Sequence, residues 1–258
     1  MLKRALFVFL IAFVTAAAAW LWLRSAPLAS ISRGGAGPPA VVLLHGYGSR
    51  AEDWLQFEPP SPDGFGAPGP PSRGDVGAPG WRFPEGTRRL YPQAPWRGFG
   101  SHRGWWWLHL EEYMRGEPLP DLSKSNPGGI KVASRLVRDL IKNEKQPLVL
   151  GGFSQGAMTS AEIAFQTDQE MAGLILLSGT TVNEEGWAEH FAGRRHLPIL
   201  IAHGRRDPVL SFAIMDRFQA RLKAFGMDVT WVPFDGVHEI PPVVVDQVNT
   251  FVRRVTGG

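Results

Sequence analysis

LVLGGFSQGAM, residues 148–158, sets an apolar run against two glycines and a single serine. Leu148-Val149-Leu150 reads as the body of a buried strand over 147–151. Ala157, Met158, Ala161, Ala164 and Phe165 recur at helical spacing, which predicts a helix over 156–166. Gly152-Phe153-Ser154-Gln155-Gly156 therefore sits in a strand-to-helix turn. A serine forced into such a turn has strained dihedrals, so its neighbours must be small. Its hydroxyl then stands clear of the sheet, as a nucleophile requires. The Gln155 amide, at the start of the helix, points where an oxyanion could form. A purely structural turn is the competing reading.

The same alternation continues on both sides. Ala40-Val41-Val42-Leu43-Leu44 is a short buried strand that ends at His45-Gly46-Tyr47-Gly48-Ser49. Arg88-Arg89-Leu90-Tyr91 leads into Pro92-Gln93-Ala94-Pro95. Residues 127–145 carry a 3- and 4-spaced apolar face behind Pro127. Strands are expected at 172–179, 197–204 and 229–233, a helix at 210–225, and a last helix opening at Pro241 or Pro242. Continuous apolar strands separated by helices imply a mainly parallel sheet with helices on both faces. In such a sheet, reactive groups gather beyond the carboxyl ends of the strands.

The chain has 258 residues, 44% of them apolar, which suits one catalytic-sized domain. Its formal charge of +3 is spread along the chain, so no nucleic-acid surface is expected. Cysteine is absent, which excludes disulfides, thiol nucleophiles and Cys-ligated metals. Residues 5–23 are uncharged and strongly apolar, and would be about 28 Å long as a helix. After Lys3 and Arg4 this reads as an N-terminal hydrophobic helix: a membrane anchor, or a signal peptide, within residues 1–30. Either implies an exported catalytic domain, anchored in the inner membrane or released to the periplasm or beyond. Residues 31–39 read as a linker and 40–258 as the catalytic domain. The Gly/Pro-rich stretch 57–80 reads as an inserted surface loop, either a spacer or a cover over the site.

Serine needs a base to take its proton and a third group to orient that base. The expected chain order is serine, acid, histidine. His238 lies in Phe234-Asp235-Gly236-Val237-His238-Glu239, between the last strand and the last helix, and is the candidate base. His203 sits at a strand end and reads as structural, while His190 and His196 lie in a charged, exposed stretch. Asp207, after the penultimate strand, is the candidate acid, with Asp235 as its rival. A second oxyanion donor is expected from His45-Gly46-Tyr47-Gly48, with the Tyr47 amide the candidate and His45 read as bonding the loop's own backbone.

LLHGYGS at 43–49, YPQAP at 91–95, GGFSQGAM at 151–158, LSG at 177–179, AHGRRDPV at 202–209 and GVHE at 236–239 together resemble the phospholipase/carboxylesterase family of the α/β-hydrolases. That family includes the acyl-protein thioesterases. The resemblance implies an α/β-hydrolase fold, Ser154 as nucleophile, His238 as base, Asp207 as acid, and the amides of Tyr47 and Gln155 as oxyanion donors. It also implies an ester or lipid-like substrate and no cofactor. Of the three adjacent tryptophans, Trp105 and Trp106 are taken as substrate contacts. No metal-binding, Rossmann or P-loop pattern is present. The expected activity is serine ester hydrolysis, on simple carboxylic esters first, then lysophospholipids and acyl thioesters. A silent membrane-tethered binding module and a serine peptidase on the same fold are the alternatives.

Overall fold

A computed structural model describes residues 27–59, 80–97, 102–108 and 120–258. The apolar stretch 5–23 and most of the 57–80 loop lie outside them. Among the described residues no helix is long and apolar enough to cross a membrane.

The strands are β1 (Ser30–Gly34), β2 (Gly37–Leu44), β3 (Thr87–Pro92), β4 (Trp96–Arg97), β5 (Arg103–Gly104), β6 (Leu148–Phe153), β7 (Gly173–Leu177), β8 (Ile199–Gly204) and β9 (Val229–Phe234). The helices are α1 (Gly128–Ile141), α2 (Gln155–Gln166), α3 (Glu184–Ala188), α4 (Phe212–Ala224) and α5 (Pro242–Thr256). One sheet runs in the order β1-β3-β2-β6-β7-β8-β9; β4 and β5 form a separate two-stranded ribbon. Every neighbouring pair in the large sheet is parallel except β1 with β3. Parallel pairing aligns the carboxyl ends of β2, β6, β7, β8 and β9 along one edge.

Alternation along β2 shows how the layers form. Ala40, Val42 and Leu44 join the core beneath α1, α2 and α4, while Val41 and Leu43 join the core beneath α5 and the 3-10 turn Ala51–Phe57. Side chains on successive strand residues point to opposite faces, so an apolar run with no polar interruption needs a cover on both. Each fully buried Val or Leu contributes roughly 1.5–3 kcal/mol.

The stretch 31–39 reads as a linker by composition, but Ser30–Gly34 form an edge strand pairing with β3 from Ser30↔Pro92 to Gly34↔Arg88. SISRG is mostly exposed, so an apolar run, the signal used for the other strands, is missing. The linker assignment also fails for residues 37–39, the opening residues of β2.

The inserted loop leaves and returns at one place. The Trp81 amide donates to Phe57 O at 2.6 Å. Asn249 on α5, buried, donates to Gly80 O at 3.0 Å and accepts from the Arg82 amide at 2.7 Å. Beside this seam Glu58 holds Arg89 in a two-oxygen fork and accepts from the Tyr91 hydroxyl. Burial first, then the Glu58 charge, pushes the Tyr91 phenol far above its ordinary range.

Asn249→Ala removes both clamps and leaves polar groups without partners. It should lower unfolding free energy by about 1–3 kcal/mol. Thr250→Ala, on the exposed side of the same helix, should change it by less than about 0.5 kcal/mol. Urea denaturation of the two variants measures both.

Candidate active site

The turn after β6 is built by close approach. A Cβ on Gly152 would lie 2.6 Å from both Leu44 O and the Gly156 carbonyl carbon, and one on Gly156 would collide with Leu44 O itself. Leu44 pairs with Gly152, so the end of β2 and the start of α2 cross where only hydrogen fits. Ser154, between these glycines, takes φ 55° and ψ −119°. Such a backbone costs on the order of 1–3 kcal/mol and persists only where surroundings impose it. Here the Ser154 amide donates to Leu177 O at 2.8 Å, and its carbonyl accepts from the Ala157 and Met158 amides. Among the described residues the hydroxyl has no hydrogen-bond partner.

His238 follows β9, at the same sheet edge. Its ring packs on Phe153, centroid to centroid 4.7 Å, next to the serine in sequence. Its Nδ1 lies 2.7 Å from Asp207 Oδ2. The Asp207 carboxyl is fully buried, and its Oδ1 accepts the amides of Val209 and Leu210 at 2.8 and 2.9 Å. Burial alone would raise this acid. Hydrogen bonds from His203, His238 and the Leu210 amide, with the His238 charge, outweigh it and hold the carboxyl well below the usual carboxylate range. An acceptor ionised at neutral pH and facing Nδ1 keeps a proton on that nitrogen and leaves Nε2 free to act as a base.

Asp235 goes elsewhere: it is exposed and ion-paired with Arg206. His203 is buried and places Nε2 near Leu210 O at 3.0 Å and Asp207 Oδ2 at 3.3 Å. It braces the acid's turn from behind. Ser178 was missed from sequence: buried, at φ 43°, it brings its hydroxyl 3.4 Å from Glu239 O and so ties the turn after β7 to the histidine loop. The LSG stretch was visible as a motif, but nothing in it showed a left-handed serine.

The loop 45–49 approaches the serine from the other side. A Cβ on Gly46 would sit 3.3 Å from Ser154 Cβ. His45 Nδ1–H donates to Gly46 O at 2.8 Å, and its Nε2 accepts from the Ala94 amide at 3.1 Å, so the ring serves the loop. Burial lowers its pKa, in keeping with that neutral form. The Gly48 and Ser49 amides are bonded, whereas the Tyr47 amide has no acceptor among the described residues. The Gln155 amide is the first of α2 and has no acceptor inside the helix. Two free N–H groups thus flank the serine.

Trp105 and Trp106, expected as substrate contacts, lie buried in the structure. They are 0% and 1% exposed, whereas Trp107 is 57% exposed. The Trp105 indole donates to His45 O at 2.7 Å. The Gln155 carboxamide accepts from the Trp105 amide and donates to Trp106 O, both at 2.8 Å. Both indoles are core, and they support the site through the backbone of its loop.

A family model described as Phospholipase/Carboxylesterase matches residues 113–256. The acyl-protein thioesterase 1 of Gibberella zeae is 25% identical over 158 residues, which cover 57% of this chain and 67% of that protein. The namesake protein of Aspergillus fumigatus is 27% identical over 155 residues, 57% of this chain and 63% of that one. The chain thus spans about two thirds of the length of these curated relatives. Among solved structures, esterase PE8 superposes with a TM-score of 0.66 at 22% identity, over 89% of this chain and 100% of that one. At that identity the likeness establishes the α/β-hydrolase fold.

The Asp207 network has a pH signature. The folded carboxyl titrates below its unfolded value of about 3.9. Its stabilisation is therefore complete above that value and is lost as pH falls through the folded one. The Tm advantage of wild type over Asp207→Asn should be constant at neutral pH and narrow below about pH 4. Parallel thermal melts from neutral to acid pH test this, and an advantage that grows on acidification contradicts it.

Proposed function

The chain belongs to the phospholipase/carboxylesterase family of serine hydrolases, and on that footing we propose that it cleaves carboxylic esters and thioesters through an acyl-enzyme on Ser154. The observation that carries the reading is the buried Asp207 carboxylate 2.7 Å from His238 Nδ1, at the sheet edge that also presents Ser154. In this mechanism Asp207 holds the imidazole with its proton on Nδ1. His238 Nε2 takes the Ser154 proton as Oγ attacks the acyl carbon. The oxyanion accepts the Tyr47 and Gln155 amides, each contributing on the order of 3 kcal/mol. The imidazolium then protonates the departing alcohol or thiol. Water, deprotonated by the same nitrogen, attacks the acyl-enzyme, and collapse returns the proton to Ser154 and releases the acid.

Simple carboxylic esters stand first as substrates, then lysophospholipids and acyl thioesters. The names of the thioesterase relatives support the last class. The apolar N-terminal stretch supports a catalytic domain held outside the cytoplasm.

A fluorophosphonate probe should label wild type and fail to label Ser154→Ala. Turnover of nitrophenyl butyrate should fall up to about a millionfold in Ser154→Ala, and on the order of ten-thousandfold in Asp207→Asn. No labelling of wild type, or full labelling of Ser154→Ala, defeats the enzyme reading. Peptide-amide turnover exceeding ester turnover would make the protein a peptidase.

A further inference from the structure

Arg97 and Arg103 face each other directly across the β4–β5 ribbon. Like charges placed opposite on antiparallel strands repel, and among the described residues neither guanidinium has a carboxylate in ion-pair contact. Both line a cavity of about 420 Å³ together with Arg50, so that among the described residues three arginines and one acidic residue, Glu52, line it. Burial and then the Arg97 charge hold the Arg103 guanidinium below its ordinary value, while Glu52 opposes them.

The ribbon is joined to the reactive loop. The Gly48 amide donates to Arg103 O at 2.7 Å, and His102 Nδ1 lies 2.9 Å from Gly48 O. Gly48 follows Tyr47, whose free amide flanks the serine. Arg97 and Arg103 also border a small cleft with Tyr47, Trp96, Trp106 and Trp107, of which the Trp96 and Trp107 indoles are exposed. A cationic cavity and an apolar cleft thus share one wall beside the oxyanion loop.

Resting on the esterase reading, we propose that Arg50, Arg97 and Arg103 bind a phosphate group carried by the ester substrate. Phosphate is favoured because guanidinium forks match its oxygens in pairs and an excess of cations suits its charge. The cavity volume falls within the range of small-molecule sites. Such a substrate is a phosphate-bearing acyl ester, for example an acylated glycerol phosphate.

The test compares lauroylglycerol phosphate with monolauroylglycerol, which share acyl chain and glycerol, both kept below their micellar concentrations. The ratio of kcat/KM, charged over neutral, should be about tenfold or more in wild type, as expected for one charge-assisted contact. It should drop towards one in the Arg97→Gln/Arg103→Gln double variant and shrink as salt is raised. A wild-type ratio of one or less, or a ratio the double variant leaves unchanged, overturns the proposal. If neither lauroyl ester is turned over, turnover of nitrophenyl butyrate keeps the esterase reading and its absence defeats it, and in both cases the arginine site is read by binding. Glycerol phosphate should then raise the Tm of wild type and leave the double variant unmoved; no rise in wild type overturns the site. A rise with inorganic phosphate alone and none with glycerol phosphate overturns the substrate assignment, since it makes free phosphate the ligand.

Discussion

The crossing of β2 over the start of α2 is the constraint on which the rest depends. The Leu44 carbonyl lies where any side chain on Gly156 would have to be, and it closes on Gly152 as well. This contact sets the distance between the central strands and the helix that follows the turn. It forces the chain to reverse in very few residues and so drives Ser154 to positive φ. The local cost is offset by the apolar surface of β6 and α2, nearly all of it buried. Strain at one residue persists because a large core over-determines its backbone.

The two aspartates near the histidine show how environment, more than residue type, decides a role. Asp207 and Asp235 both lie within reach of the histidine loop in sequence or space. Asp235 stays in water against Arg206, where an ion pair contributes little. Asp207 is withdrawn from water, and two backbone amides and two imidazoles replace its solvation. A buried carboxylate with four donors is ionised and immobile, which is what orients an imidazole. The second imidazole, His203, needs no part in chemistry: its Nε2 faces two acceptors while its Nδ1 is buried without a partner.

Much of this was readable from the chain because it is written in apolar runs. The strands ending at Leu44, Phe153, Leu177 and Gly204 are covered on two faces or nearly so, and their composition says it. β1 has a single neighbour and a solvated surface, so its residues resemble a linker and pairing alone makes it a strand. The burial of both Trp105 and Trp106 was hard to read for a related reason. Alternation along a strand would have pushed one of them outward. The regular ribbon ends at Gly104, and beyond it the backbone bends so that two successive indoles turn inward and the third is left outside. Asn249 and Ser178 were invisible because their value lies in partners distant in sequence, Gly80 and Glu239.

Gln155 gives a physical reason for the narrower motif GFSQGA over a general G-x-S-x-G. Its main chain offers the first free amide of α2 beside the serine. Its side chain, wholly buried, must accept from the Trp105 amide and donate to Trp106 O in the same plane. A carboxylate could accept there but not donate, and would carry a charge into the core. An alkyl side chain would leave one amide and one carbonyl buried and unpaired, at about 1–3 kcal/mol for each lost partner. Only a carboxamide of this length satisfies both groups. The residue whose amide is the proposed oxyanion donor is thereby the one that anchors the tryptophan segment, and the tryptophan segment in turn holds the His45 carbonyl through Trp105. The two donors flanking Ser154, from loops 108 positions apart in the chain, are connected by one continuous set of buried hydrogen bonds. Loosening any member would move one donor relative to the other, and an oxyanion site depends on both being set in place before charge develops.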